Sequence, residues 1–555
     1  MMNEYIVTCT TYEDLQSLYD DLETPGGTLH IPDREVELVH RREISRNTHY
    51  MLTEEEAEQI RSDSRVIACE RLAKDRGITP EYLWTQTGDF EKTTGTLESD
   101  DKNWGLYRVI KGDSVVNWGS DGTTENSGET ISTTSSGKNV DVVIVDSHIN
   151  PDHPEFAVNV DGTGGSRVNQ FNWFQYSSTL GYSTNETYTY STSGYSPNSN
   201  HGTHVAGTVA GNTQGWARDA NIYNMAFSDT LSGVTDWDEK LWDYLRHFHK
   251  NKSINSETGR RNPTITNHSW GYSYGNNSAN LSTITSVTYR GTTTSVSGTD
   301  SEKKAILEDN GVPVPADTYL YRVPARNAAV DADVQDAIND GVIVVSSAGN
   351  SYWNCDTSSG NDYDNSYYTT FTRYHSRGST PGSADNVICV GSIGSKLSEY
   401  KSNFSNWGER VDIWAPGSDI ISAVYDYLSA DADGYGSLPQ DPRNSSYYLA
   451  SINGTSMSSP QVTGVIACLA EQEPDLTQAE ALQHLKENAL AEVGTTGTIN
   501  HSGYEAFGDS NNRYLFMPKK RPETGTLSPA VLHKNRNPDS AGVKYPRVRN
   551  NRVFK

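Results

Sequence analysis

The chain has 555 residues, more than one ordinary domain, so two or three folding units are expected. Only 34% of it is hydrophobic and its formal charge is −26, which argues against nucleic acid as the main partner and favours a soluble body with many polar loops. No stretch approaches the roughly 18 consecutive apolar residues of a spanning helix, so no membrane span is expected.

Residues 1–75 read as a unit of their own. A short strand, Tyr5–Thr8, precedes a helical stretch from Asp14 to Leu22, in which Leu15, Leu18 and Leu22 recur at helical spacing. Strand-like runs follow near Glu35–His40 and Thr48–Leu52. Thr53-Glu54-Glu55-Glu56 then fits a capping box opening a second helix, and Arg65–Glu70 reads as a closing strand. The order strand–helix–strand–strand–helix–strand is the split, ferredoxin-like α+β arrangement. The start, MMNEYIVTCT, runs straight into this pattern and not into a basic and apolar leader, so synthesis in the cytoplasm without a signal peptide is expected.

Residues 76–102 are polar and aperiodic and read as a linker. Beyond it, apolar runs at Val140–Val145, Thr264–Thr266, Val342–Val345 and Val387–Val390 alternate with helical patterns at 203–211, 237–249, 328–340 and 459–471. Short β-branched runs alternating with helices predict a parallel sheet covered on both faces. A Ser/Thr/Asn-rich insertion spans Tyr272–Pro324, and 351–380 and 424–447 read as loops. The tail, 516–555, is basic: ten Lys/Arg against Glu523 and Asp539 give it a net +8 and leave −34 on the rest. Nucleic acid, a membrane, or an acidic or assembly partner stays open for this tail beside the plainer reading of a disordered tail lying on the chain's own acidic body. Five scattered cysteines (Cys9, Cys69, Cys355, Cys389, Cys468) lack metal-type spacing and do not suggest a disulfide-stapled scaffold.

Functional groups gather at the carboxyl ends of strands in open α/β sheets. Asp146 closes the run Val-Val-Ile-Val. His201 opens Asn200-His201-Gly202-Thr203-His204, and Ser456 lies in Asn453-Gly454-Thr455-Ser456-Met457-Ser458-Ser459-Pro460, a turn into an apolar helix. Asn350 ends Ser346-Ser347-Ala348-Gly349-Asn350 after another buried strand. These segments resemble the subtilisin-like serine peptidases, in that family's chain order of Asp, His, Ser. Ser458 stands where the family usually has Ala. The resemblance implies a subtilisin-like parallel sheet at 103–515 and a serine endopeptidase with Asp146, His201 and Ser456 as catalytic triad and Asn350 as oxyanion donor. It implies that Ser269-Trp270-Gly271 forms the substrate-binding strand for polypeptide substrates, with Ser232-Gly233 opposite. It implies that 1–75 is a prodomain acting as intramolecular inhibitor of a self-processing zymogen, cut shortly before Asn103.

Neighbouring residues have plainer readings. His204 makes His-x-x-His with His201, but no third ligand accompanies it, so a packed histidine is expected and no metal site is assigned. His153 stands where the family often has a structural histidine. His148 is expected to be solvated, and Asp152 and Glu155 to lie in a solvated turn. No cofactor is required for this chemistry; structural calcium stays open without a locatable site, since Gly211–Trp216 passes directly to the next strand. The alternative is a structural or assembly protein, virion-associated, that retains the peptidase fold.

Overall fold

The computed structural model describes residues 2–29, 36–41, 46–71, 84–88, 103–112, 129–188, 190, 199–226, 237–274, 277–314, 319–394, 401–424, 438–490 and 513–517. The described residues fall into two compact units, one at 2–71 and one at 84–517. Among them no helix is long and apolar enough to cross a membrane.

In the first unit four antiparallel strands lie in the order Glu37–Arg41, Asn47–Leu52, Asn3–Cys9, Val66–Arg71, with helices Leu15–Glu23 and Glu54–Arg61 between them in sequence. This is the element order read from the sequence. Tyr5, Val7 and Cys9 alternate inward along the first strand and meet Leu18, Leu22, Tyr50, Ala57 and Ile60 in one core. The capping box is formed: Thr53 Oγ1 accepts from Glu56 N at 3.3 Å, and Glu56 Oε2 accepts from Thr53 N at 2.8 Å.

The second unit is built on a seven-stranded parallel sheet in the order Ile413–Pro416, Ile388–Ile393, Ile343–Ser347, Thr264–His268, Asp141–Asp146, Asn221–Ala226, Val168–Asn169. Every residue of Asp141–Asp146 is buried. Its side chains part by pleat: Val142 and Ile144 join a core with Val205, Val209, Val462 and Ile466, while Val143 and Val145 join another with Trp242, Leu245, Val330 and Val334. Helices Ser199–Ala210 and Thr455–Gln472 therefore cover one face, and Trp237–Asn251 and Ala328–Asn339 the other. Each valine so buried stabilises the sheet by about 1.5–3 kcal/mol. The register brings Asp146, His268 and Ser347 to one end of the sheet, where the next residues in each strand leave it.

Elsewhere the structure departs from the sequence reading. Trp84–Gly88, inside the stretch read as a linker, pairs antiparallel with Glu129–Thr133. Residues 440–452, read as loop over most of their length, form strands Gln440–Asp441 and Asn444–Ile452, which pair with each other, and Asn444–Ile452 pairs on its other side with Ile420–Val424. The insertion 272–324 and the loop 351–380 fold together. Thr292–Ser295, Ser286–Tyr289, Ser366–Tyr368 and Thr372–Tyr374 make a small antiparallel sheet, over a core that includes Leu281, Val287, Leu307, Trp353 and Tyr367.

Candidate active site

Asp146 is the last residue of its strand and is buried. His201 is the third residue of helix Ser199–Ala210, and its Nδ1 lies 2.8 Å from Asp146 Oδ1. The same oxygen accepts from Ser147 N at 2.7 Å, which fixes the carboxylate before it meets the ring. Ser147 Oγ accepts from Gly202 N at 2.8 Å, tying the strand end to the helix start. A Cβ at Gly202 would lie 2.5 Å from the Ser147 carbonyl, so only glycine allows this approach. Asn224, buried on the neighbouring strand, braces the same turn by donating to Ser147 O at 3.2 Å and accepting from Ile149 N at 3.3 Å. The His201 side chain is 38% exposed. Burial lowers its pKa and the Asp146 carboxylate raises it, and the net shift is upward from 6.5.

Ser456 is the second residue of helix Thr455–Gln472. Its hydroxyl donates to the Ser269 carbonyl at 3.1 Å, and among the described residues no hydrogen bond joins it to His201. Pro460 lies four residues on and has no N–H, so the Ser456 carbonyl loses its helical donor. Ser269 Oγ supplies the missing bond at 2.9 Å. Asn267 Nδ2 in turn donates to Ser269 Oγ at 2.9 Å, and Asn267 Oδ1 accepts from Thr463 Oγ1 at 2.9 Å. Ser269 is thus tied to the serine helix at two levels.

Asn350 follows strand Ile343–Ser347, and its Oδ1 accepts from Thr455 N at 2.8 Å and from Thr455 Oγ1 at 2.7 Å. With the oxygen engaged, the Nδ2 donor is directed towards Gly454. A Cβ built at Gly454 would lie 3.5 Å from both Asn350 Nδ2 and Ser456 N. Two nitrogen donors and Met457 Sδ thus lie equally far from one point beside Gly454.

Of the substrate-strand candidates, Ser269 is buried, while Trp270 is half-buried, 5.7 Å from the His268 ring and 6.1 Å from that of Tyr272. Gly271 faces Ser379, whose Oγ would lie 2.7 Å from a Cβ there. Ser232 and Gly233 lie outside the described residues, as does the basic tail from 518 onward.

The neighbouring histidines divide. His204 Nε2 meets the Ile420 and Ala450 carbonyls at 2.9 and 3.1 Å, and burial brings its pKa down to about 3, so it is a packed histidine. His153 is buried, bonded to Tyr448 O and Glu155 N. His148, expected in solvent, is buried with its ring edge-on to Tyr190 at 5.9 Å. Asp152 is exposed as expected, but Glu155 is fully buried. Its carboxylate pairs with Arg443 and accepts from Thr213 N and Gln214 N at 3.0 Å each. The residues after the histidine helix are thereby bonded to this carboxylate. Among the described residues no cluster of three or more His, Cys, Asp or Glu is arranged to hold a metal ion.

A model of the subtilase family matches residues 137–512. The chain is similar to subtilisin-like protease 3 of Arthroderma benhamiae, 37% identical over 134 residues, which are 24% of this chain and 28% of the relative. It is similar to the alkaline proteinase of Hapsidospora chrysogena, 39% identical over 137 residues, 25% of this chain and 27% of the relative. A subtilisin-like serine protease of Davidiella tassiana is 25% identical over 463 residues, 79% of this chain and 64% of the relative. In each case the match spans less than two thirds of the relative's own length. Among solved structures, a cold adapted subtilisin-like serine proteinase covers 75% of this chain and 98% of its own, with 20% identity and a TM-score of 0.42. The comparisons give no support to a structural or assembly protein. With the family match extending over more than half of its residues, the chain belongs to the subtilase family.

Proposed function

We propose that the protein is a serine endopeptidase that hydrolyses peptide bonds through an acyl-enzyme on Ser456. The observation that carries this reading is the 2.8 Å His201–Asp146 bond, with Ser456 N and Asn350 Nδ2 each 3.5 Å from one point beside Gly454. A serine hydroxyl is a weak nucleophile, so His201 Nε2 takes its proton as Oγ adds to the substrate carbonyl carbon. Before that step the hydroxyl leaves the Ser269 carbonyl and turns to His201, a bond that tightens when substrate is bound. Asp146 holds the proton on Nδ1 and offsets the imidazolium charge. Ser456 N–H and Asn350 Nδ2–H bind the oxyanion. Collapse breaks the C–N bond, and His201 gives its proton to the leaving amine. A water then repeats the sequence, releasing the acid and restoring Ser456. The substrate backbone pairs with Ser269–Gly271 as an added strand.

The protein is made as a zymogen in this reading, with residues 1–75 as inhibitory prodomain and a self-cut shortly before Asn103. Support for the cut position comes from the residues beyond it. Asn103 and Trp104 are fully buried; Asn103 Nδ2 donates to Ile421 O and Trp104 Nε1 to Ser418 O, each at 3.1 Å, and Asn103 Oδ1 caps the helix Trp104–Lys111. The mature chain would thus begin at an anchored point. The Trp84–Gly88 strand, paired with Glu129–Thr133, would be left on the other side of the cut.

Intact mass and N-terminal sequencing of wild type beside Ser456→Ala test both parts. Loss of about 100 N-terminal residues by wild type alone establishes self-processing; the expected cut is the one before Asn103. The hydrolytic reading fails if wild type stays full length, cleaves no peptide and takes up no fluorophosphonate probe.

A further inference from the structure

The loop that carries Asn350 is gripped from outside the site by one buried side chain, Asn406. Residues 348–353 leave the sheet after Ser347 and belong to no regular element until the bridge at Asn354. Gly349 sits at φ 102°, in the left-handed region, so the backbone there is not fixed by ordinary preferences. Asn406 supplies the fixing. Its backbone N–H donates to Gly349 O at 2.8 Å, and its Nδ2 donates to Ala348 O at 2.8 Å. Its Oδ1 accepts from Ser351 N at 3.1 Å and from Trp353 N at 3.0 Å. The four bonds fall on both sides of Asn350, and Asn406 is only 3% exposed, so water does not compete for them.

The fit is close. A Cβ at Gly349 would lie 2.5 Å from Asn406 Nδ2. From the other side, Thr455 Oγ1 accepts from Gly349 N at 3.1 Å and donates to Asn350 Oδ1. The oxyanion loop is therefore held between Thr455 and Asn406. Asn406 is itself presented by a short segment in which the fully buried Lys401 donates through Nζ to the Ser402 and Ser405 carbonyls at 2.9 and 3.1 Å.

We propose that Asn406 is a positioning residue for the oxyanion donor Asn350. Only a primary amide offers a donor arm for Ala348 O and an acceptor arm for two backbone N–H groups from one short side chain. The proposal rests on the hydrolytic reading of the site, because Asn406 touches neither substrate nor Ser456 and acts only through the loop.

The test is a double-mutant cycle in the full-length protein. Asn406→Asp keeps the shape and the acceptor but loses the donor; Asn406→Ala loses both; each is made alone and with Asn350→Ala. Turnover is expressed per site titrated with a fluorophosphonate, so partly unfolded material is not counted. A displaced donor is expected to lower kcat about tenfold or more with KM within about twofold, against about 10²–10³ for losing the Asn350 amide. Affinity for a peptide aldehyde, which forms a tetrahedral adduct, falls in parallel. In the Asn350→Ala background either change at Asn406 costs less than about threefold further, because the group it positions is gone. Gly349→Ala, which presses on the same contact from the loop side, gives the same pattern. Full, additive losses in the Asn350→Ala background, or unchanged kcat in Asn406→Asp, would overturn the proposal. A wild type with neither turnover nor probe uptake is a different result, one that removes the hydrolytic reading beneath it.

Discussion

At Gly454 a Cβ would come within 3.5 Å of both Asn350 Nδ2 and Ser456 N, so under the proposed mechanism a methyl group there would crowd the oxyanion these two donors bind. Gly454→Ala is expected to lower kcat by about tenfold to a hundredfold while leaving the fold intact, a comparison made by steady-state kinetics beside thermal melting. Under the proposed mechanism His201 sets the pH dependence. Burial alone would depress its pKa; the Asp146 carboxylate more than reverses this. Since only the neutral imidazole accepts a proton, kcat/KM should rise with pH through a midpoint above the ordinary 6.5. Asp146→Asn removes the anion and leaves the burial, so the residual activity, down by about 10⁴, should titrate with a midpoint below that of wild type. An unmoved midpoint would show that His201 is not the titrating base. The four residues proposed for this chemistry stand out in sequence because Asp146 ends a buried strand, His201 and Ser456 open helices, and Asn350 follows a strand end by three residues. Glu155 and Asn406 do not. Their local sequences look like turns, and the partners that define them, Arg443 and the 348–353 loop, lie 288 and 53–58 positions away.

At the level of elements, Glu155 joins three separate stretches of chain. Its carboxylate takes the Arg443 guanidinium from beside the strand Asn444–Ile452 and the N–H groups of Thr213 and Gln214 from the turn after the histidine helix. Burial raises its pKa, while Arg443 and the Thr213 bonds lower it further, to about 2 from 4.5. Its contribution to stability is therefore complete above pH 4.5 and is lost as pH falls towards 2. Glu155→Gln should flatten acid unfolding within that window, followed by circular dichroism. Removing the partner instead, as in Arg443→Ala, strands a buried carboxylate and should cost about 3 kcal/mol in denaturant melts. Which elements are legible follows the same physics. Val140–Val145 and Val342–Val345 announce buried strands because both faces are apolar. Asn221–Ala226 lies in the same sheet, yet reads Asn-Ile-Tyr-Asn-Met-Ala, and its Asn224 bonds the turn after Asp146 instead of filling a core. A strand whose polar side chains find distant partners leaves no periodic trace.

Among the described residues of the second unit, the buried apolar side chains fall into three clusters. The two clusters on the faces of the seven-stranded sheet are separate from the cluster of Leu281, Val287, Leu307, Val312, Leu320, Trp353 and Tyr367. This third cluster is drawn from the insertion after Gly271 and the loop after Asn350, two stretches whose Ser/Thr/Asn-rich composition reads as unstructured because their core residues are thinly spread. Trp353 belongs to this cluster by its side chain and to the Asn406 clamp by its backbone N–H, at 3.0 Å. Leu307→Ala, at a fully buried position, should cost about 2–5 kcal/mol. Because the loss falls on a separate cluster, it should appear as local opening and not as lower stability of the sheet. Hydrogen exchange followed by mass spectrometry should show faster exchange across 281–314, 319–323 and 366–374, and with them in 348–353 through Trp353. Exchange in Asp141–Asp146 and Ile343–Ser347 should stay at the wild-type rate. An equal increase in those two strands would mean that the unit opens as one body, with the insertion as much a part of its cooperative core as the sheet that carries Asp146.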